Sequence, residues 1–195
     1  MDGFQRRREQ KKQAILLAAL TLFMKNGIQK VSIAEIAKEA GVSQVTIYNY
    51  FESKHQLTYE VFVFYIDSAS SQFEELVHSD LPFPDKIRMI MFSKKEVAQQ
   101  IHEEFYQYLM KQYSTEGNLF ENLYEEKVVP YFSQLIQEGK DQGYVDDSLS
   151  EDAIRFYLEM LRTHMQNEEN YTKALPLTED INKIFFYGIM KGKQE

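Results

Sequence analysis

Residues 42–57 read VSQVTIYNYFESKHQL, and the fold turns on which way the two tyrosines, the asparagine and the phenylalanine of this short stretch face. Ser43 stands where a helix N-cap belongs, and Ser53 with Gln56 forms a capping box for the helix that follows. A short helix over 44–51 is expected between them. At 100° per residue, with Ile47 as zero, Phe51 falls at about 40°, so these two share the inward face. Val45 and Asn49 fall at about 160° and 200°, on the opposite side, flanked by Tyr48 at about 100° and Thr46 at about 260°. The stretch reads as one buried pair beneath an outward surface of Val, Asn, Thr and Tyr. Tyr50, at about 300°, borders the buried face and either packs or binds.

The preceding residues frame this helix. In SIAEIAKEAG (32–41), Ser32 and Glu35 form a capping box, Ile33, Ile36, Ala37 and Ala40 make an apolar stripe, and Gly41 is the stop. Before it, Ile15, Leu16, Ala19, Leu22 and Phe23 recur at helical spacing up to Gly27. Two short helices joined by AGVS make a helix-turn-helix candidate, whose second helix is the one expected to enter a groove of DNA. Asn49 suits a base edge, Thr46 a thymine methyl or a phosphate, and the tyrosine hydroxyls a phosphate. Gln44 sits in the first turn, where bases are probed. Free N–H groups near Ser43 and near Ser53-Lys54 favour phosphate oxygens, and Lys54 adds a full charge.

Net charge must be counted by segment. The chain carries −8 overall, which argues against a polyanionic partner. Yet residues 1–60 hold nine Lys/Arg and six Asp/Glu, 9 − 6 = +3, and the remainder 13 and 24, 13 − 24 = −11. A basic head sits on an acidic body. The run RRREQKK (6–12) is either the solvated start of the first helix or an arm for the minor groove.

Downstream the pattern is helical throughout. A fourth helix runs to about residue 78, SDLPFPDK (79–86) is a joint, and further helices are expected near 85–93, 95–113, 118–141, 150–167 and 177–192. Pro130 should kink or split the third of these five. With no cysteine, neither a disulfide nor a thiolate metal site exists. The histidines at 55, 78, 102 and 164 are scattered, so no metal site is expected, and no cofactor motif is present. No nucleophile–base set or phosphate-cradling loop supports an enzyme. The charged N-terminus has no apolar stretch for a signal or a span, so a cytoplasmic protein without a membrane partner is expected.

Together, LFMKNGIQKVSIAEIAKEAGVSQVTIYNYFESKHQL (22–57) resembles the DNA-binding region of the TetR family of bacterial transcriptional regulators, over about residues 8 to 60. The resemblance implies an all-α fold of about nine helices: an N-terminal three-helix helix-turn-helix head (1–56) and a larger C-terminal effector-binding and dimerisation domain (57–195). It assigns Gln44, Val45, Thr46 and Asn49 to bases, and Ser32, Ser43, Tyr48, Tyr50 and Lys54 to phosphates. The implied function is that of a homodimeric repressor, released from double-stranded DNA at a palindromic operator by a small hydrophobic effector, with the fourth helix as the mechanical link. A DNA-binding accessory protein without effector, and a dimeric module that has lost DNA binding, are the rival readings.

The C-terminal half gives weaker pointers. Met89, Phe92, Phe105, Tyr108 and Tyr124 belong to an aromatic and methionine stripe that is either plain core or, as the resemblance implies, an effector pocket. Tyr157, Leu161, Phe185, Gly188 and Ile189 lie on two apolar final helices. In a monomer those helices would leave exposed patches, and a two-fold dimer would cover them.

Overall fold

In the computed structural model, residues 3–113, 122, 124–165 and 167–190 are described, the side chains of 92–100, 113, 168 and 171 excepted. The chain divides into two compact units, Met1–Ser68 with Ile101–Tyr106, and Ala69–Gln100 with Gln107–Glu195. Helices α1 (Gly3–Asn26), α2 (Ile33–Glu39) and α3 (Gln44–Tyr50) lead into α4 (Lys54–Val77), α5 (Phe83–Gln100) and α6 (Glu103–Tyr113). A π-helical turn at Tyr124–Val128 precedes α7 (Val129–Asp141). Then come α8 (Glu151–Met165), α9 (Glu168–Ala174), a 3-10 turn at Leu175–Leu177, and α10 (Thr178–Ile189).

Local chemistry explains the ends of these helices. Both halves of the capping box at α2 form: Ser32 Oγ accepts the Glu35 N–H at 3.2 Å, and the Glu35 carboxylate accepts the Ser32 N–H at 2.7 Å. Gly41 takes φ +65°, letting the Val42 N–H reach back to the Ala37 carbonyl at 2.9 Å and close α2. Pro130 lacks an N–H. It stands in the first turn of α7, and the π-helical turn just before it is where the expected split occurs.

Tertiary contacts set the breaks that composition does not. The gap expected near residues 93–95 is absent, and α5 runs on to Gln100. The chain breaks instead at Ile101-His102, where the His102 N–H donates to the Met24 carbonyl at 2.7 Å rather than to its own helix. Glu104 then accepts the Gln29 N–H at 3.1 Å. Gly27, between α1 and α2, takes φ +82°, and a Cβ there would collide with the Glu104 carboxylate and stand 2.8 Å from the His102 ring. In the same unit Phe105 is fully buried and stacks on Phe62, with ring centroids 4.4 Å apart.

The second unit closes around Phe83, Ile87, Leu135, Ile136, Phe185 and Phe186. Its buried cation, Lys86, is fully used. The ammonium donates to the Val77 carbonyl at the end of α4 (2.7 Å) and to Glu138 (2.8 and 3.1 Å), which is what makes burying a charge tolerable. Among the described residues no helix is long and apolar enough to cross a membrane.

Two stability predictions follow from this geometry. A Cβ at Gly139 would stand 2.6 Å from the Phe83 ring and from Val145 Cγ2. Gly139→Ala should therefore cost about 1–3 kcal/mol through overpacking, against a helix-propensity gain of about 1 kcal/mol or less, read as a lower urea midpoint. Glu35 has its carboxyl held below the ordinary value by its hydrogen bonds from Ser32. The cap is therefore complete at and above the ordinary carboxylate pKa and is lost as pH falls through the lower folded value. Glu35→Gln should flatten that acid limb in urea midpoints taken from pH 7 down to 3.

Candidate nucleic-acid interface

Helix α3 is held by its two ends and one face. Ser43 Oγ accepts the Thr46 N–H at 3.0 Å at the start, and Phe51 turns extended at φ −135°, ψ 119° to end it. Ile47 and Phe51 are each 1% exposed. That leaves Gln44, Val45, Tyr48 and Asn49 outward, with Val45 69% and Tyr48 52% exposed, while Thr46 and Tyr50 are half-buried. The outward face is the one the helical wheel gave at Val45, Tyr48 and Asn49, while Thr46 sits half-buried at its edge. Large apolar and aromatic surface exposed on so short a helix is costly unless something covers it.

Several polar groups near this face already spend their donors within the protein. Ser32 Oγ donates to Glu35 at 2.7 Å, so its proton is committed to the cap. Ser43 Oγ lies 2.9 Å from Thr46 Oγ1, and one of the two hydroxyls donates to the other. Tyr50 donates its hydroxyl to the Arg8 carbonyl at 3.2 Å, and its ring lies 5.8 Å from the Arg8 guanidinium. Tyr50 thus packs against α1 through both its hydroxyl and its ring. Lys54 uses one donor on the Gln29 carbonyl at 3.2 Å and has others to spare. Tyr48, Asn49 and Gln44 remain exposed.

The residues assigned to an effector pocket do not behave alike. Met89 is exposed, and Phe105 is committed to packing in the first unit. Tyr108 is half-buried, and the side chain of Phe92 lies outside the described residues. Tyr124 is half-buried, its hydroxyl pKa is pushed up by burial, and the Arg162 guanidinium sits 5.4 Å from its ring centre. Among the described residues, one terminal nitrogen of Arg162, Nη1, is buried and meets no hydrogen-bond acceptor. Among the described residues no group of three or more His, Asp or Glu is placed to hold a metal ion.

The dimer-face assignment needs correction at two positions. Phe185 and Ile189 point into the second unit's own core, and Leu161 is half-buried. The outward apolar groups on the same helices are Phe156 and Met160 on α8 and Ile184 and Tyr187 on α10, with Tyr157 and Gly188 also exposed. Tyr157 stacks on Phe185 at 6.0 Å and joins the two helices. A groove of about 390 Å³ lined by Phe156, Glu159, Met160, Thr163 and His164 runs along α8. The missed signal was the i, i+4 pair Phe156–Met160, on the side of α8 opposite Ile154.

Comparison with known proteins bears on the head first. Residues 15–61 match the family described as bacterial regulatory proteins, tetR family. The HTH-type transcriptional regulator YfiR of Bacillus subtilis is 29% identical over 151 residues, 68% of this chain and 67% of YfiR. The transcriptional repressor KstR2 of Rhodococcus jostii is 25% identical over 88 residues, 45% of this chain and 43% of KstR2, so the chain spans less than half of that relative. The fold extends over nearly the whole chain. It is similar to the transcriptional regulator FadR of Bacillus subtilis, solved with stearoyl-CoA, at a TM-score of 0.54 and 18% identity, covering 91% of this chain and 98% of FadR. The matched head, the relatives and the shared all-α fold point the same way, and residues 15–61 are similar to the head of the tetR family of bacterial regulatory proteins.

Proposed function

We propose that the protein is a homodimeric repressor that reads a palindromic operator through α3 and leaves it when a small, largely apolar effector occupies the second unit. The observation that carries this reading is the outward face of α3: exposed Gln44, Val45, Tyr48 and Asn49 above a buried Ile47 and Phe51. Gln44, Val45, Thr46 and Asn49 reach base edges, and Asn49 makes the bidentate contact for which its amide is shaped. Tyr48 and Lys54 take phosphates. With its proton spent on Glu35, Ser32 serves as a cap; Ser43 caps α3 and shares one hydrogen bond with Thr46, and Tyr50 serves as a brace.

Dimer contact falls to Phe156, Met160, Ile184, Tyr187 and Gly188, the apolar groups that α8 and α10 leave exposed. In such a dimer the two recognition helices enter successive major grooves about 34–36 Å apart. An effector acts by preferring a spacing that DNA does not accept, and only to the extent of its differential affinity. The buried Arg162 Nη1 favours an effector carrying a hydrogen-bond acceptor beside its apolar part. Acyl thioesters, the ligand class seen in FadR, are the first chemistry to screen.

Selection of binding sites from a randomised DNA pool tests the central claim. Purified protein should enrich an inverted repeat, and Asn49→Ala should relax preference at one base position by about 1–3 kcal/mol while leaving non-specific affinity intact. A pool that enriches nothing, even with protein refolded to strip ligand, removes the DNA reading. For the dimer, Ile184→Glu alters a side chain that is 66% exposed in the protomer. It should leave the fold intact by circular dichroism and shift the sedimentation coefficient from dimer to monomer.

A further inference from the structure

The basic run at residues 6–12 precedes the stretch that matches the family, 15–61, and the function proposed above makes no use of it. It forms the first turns of α1, with every residue from Gly3 to Lys11 exposed. Its five cations face one carboxylate, Glu9. Two of the five are used inside the protein. Lys12 pairs with Glu60 at 2.6 Å and lies 5.9 Å from the Phe51 ring centre, while Arg8 covers the Tyr50 ring and lends its carbonyl to the Tyr50 hydroxyl. Taking Arg8 as zero on the helical wheel, Lys12 falls at about 40°, and Ile15 and Ala19 share that inward side.

Arg7 and Lys11 are an i, i+4 pair at about 260° and 300°, and Glu9 lies about 160° away from each. Both are exposed, and neither makes an ion pair among the described residues. A cationic helix end is ordinarily just a solvated surface. What sets this one apart is its attachment, because Tyr50 is the last residue of α3. The Tyr50–Arg8 contact pins the charged end of α1 beside the C-terminal end of the helix whose outward face is the candidate DNA reader. Arg7 and Lys11 are one and three residues from Arg8, a rise of about 1.5 and 4.5 Å along the axis. Both are therefore carried on the same turns of α1 as the Tyr50 contact, and their charges act over a Debye length of ~10 Å. Duplex DNA presents a charge every ~1.7 Å of its axis, so a duplex seated on α3 brings further phosphates into that range.

We propose that Arg7 and Lys11, held in place by the Tyr50–Arg8 contact, form a second DNA-contacting surface that grips backbone phosphates flanking the half-site read by α3. The proposal rests on the DNA-binding reading above. The surface carries no base information. It contributes affinity and salt dependence, and it makes Tyr50 a positioning residue between two contact surfaces.

The test is fluorescence anisotropy with a selected duplex and a scrambled duplex over a series of salt concentrations. Wild type is compared with Arg7→Ala/Lys11→Ala, with Tyr50→Phe, and with Arg155→Ala/Lys173→Ala as an equal change of net charge at exposed sites elsewhere. The expected result for Arg7→Ala/Lys11→Ala is a slope of log K against log salt shallower by about 1.8, at ~0.9 per phosphate contact. Affinity should fall about 10- to 50-fold on both duplexes near physiological salt, with the selected motif unchanged and backbone protection lost outside the half-sites in a hydroxyl-radical footprint. Tyr50→Phe should lose part of the same slope, and the distant pair should lose none. If wild type binds DNA with a steep salt slope and Arg7→Ala/Lys11→Ala keeps it, the second surface is refuted and the α3 reading stands. Equal losses from the distant pair would reduce the effect to net charge and refute it too. If wild type binds neither duplex, both readings fall together.

Discussion

The candidate interface depends on the burial of two side chains, Ile47 and Phe51. Each is 1% exposed, and full burial of an apolar side chain of this size is worth about 1.5–3 kcal/mol. A seven-residue helix has too little hydrogen bonding of its own to hold an orientation in water. These two anchors, four residues apart, fix its rotation. Once they are inside, Val45, Tyr48 and Asn49 have no choice but to face out. The Gly41 turn and the Ser43 cap determine where α3 starts, and the anchors determine which way it faces.

Hydroxyl groups in the head are divided between folding and availability to a partner. A serine at an N-cap has one proton, and a cap that returns it to a carboxylate, as Ser32 does, leaves none for an external oxygen. Position in a motif therefore does not fix a role. Tyr48 and Tyr50 are two residues apart and carry the same group, yet one is exposed and the other donates to the α1 backbone. The difference is an angle of about 200° around the helix axis.

The same distinction explains what was legible in the sequence. The head was readable because its signals are local: caps at Ser32 and Ser43, a turn at Gly41, and an apolar pair at i, i+4. All of these act within a few residues, and the structure reproduces them. The C-terminal helices were readable as apolar, but not as to side, because both faces carry large apolar groups. Phe185 and Ile189 went to the core, and Ile184 and Tyr187 to the surface. With both faces apolar, periodicity ranks neither side, and only the packing of the neighbouring helices decides. The break after α5 was likewise invisible. It follows from a hydrogen bond to Met24, 78 residues earlier in sequence.

That bond also shows why the head is more than its first sixty residues. Gln29, in the turn between α1 and α2, is held on both sides: its N–H by Glu104 and its carbonyl by Lys54 at the start of α4. The His102 N–H fixes Met24, at the end of α1, in the same way. Gly27 makes the arrangement feasible, since its left-handed φ and missing Cβ let His102 and Glu104 approach the turn. Withdrawing Ile101–Tyr106 would leave the Met24 carbonyl and the Gln29 N–H without their partners and open the space that Phe105 fills over Phe62. The position of this segment and the position of the turn are therefore one variable. Because Lys54 is tied to the same glutamine, the start of α4 belongs to it as well.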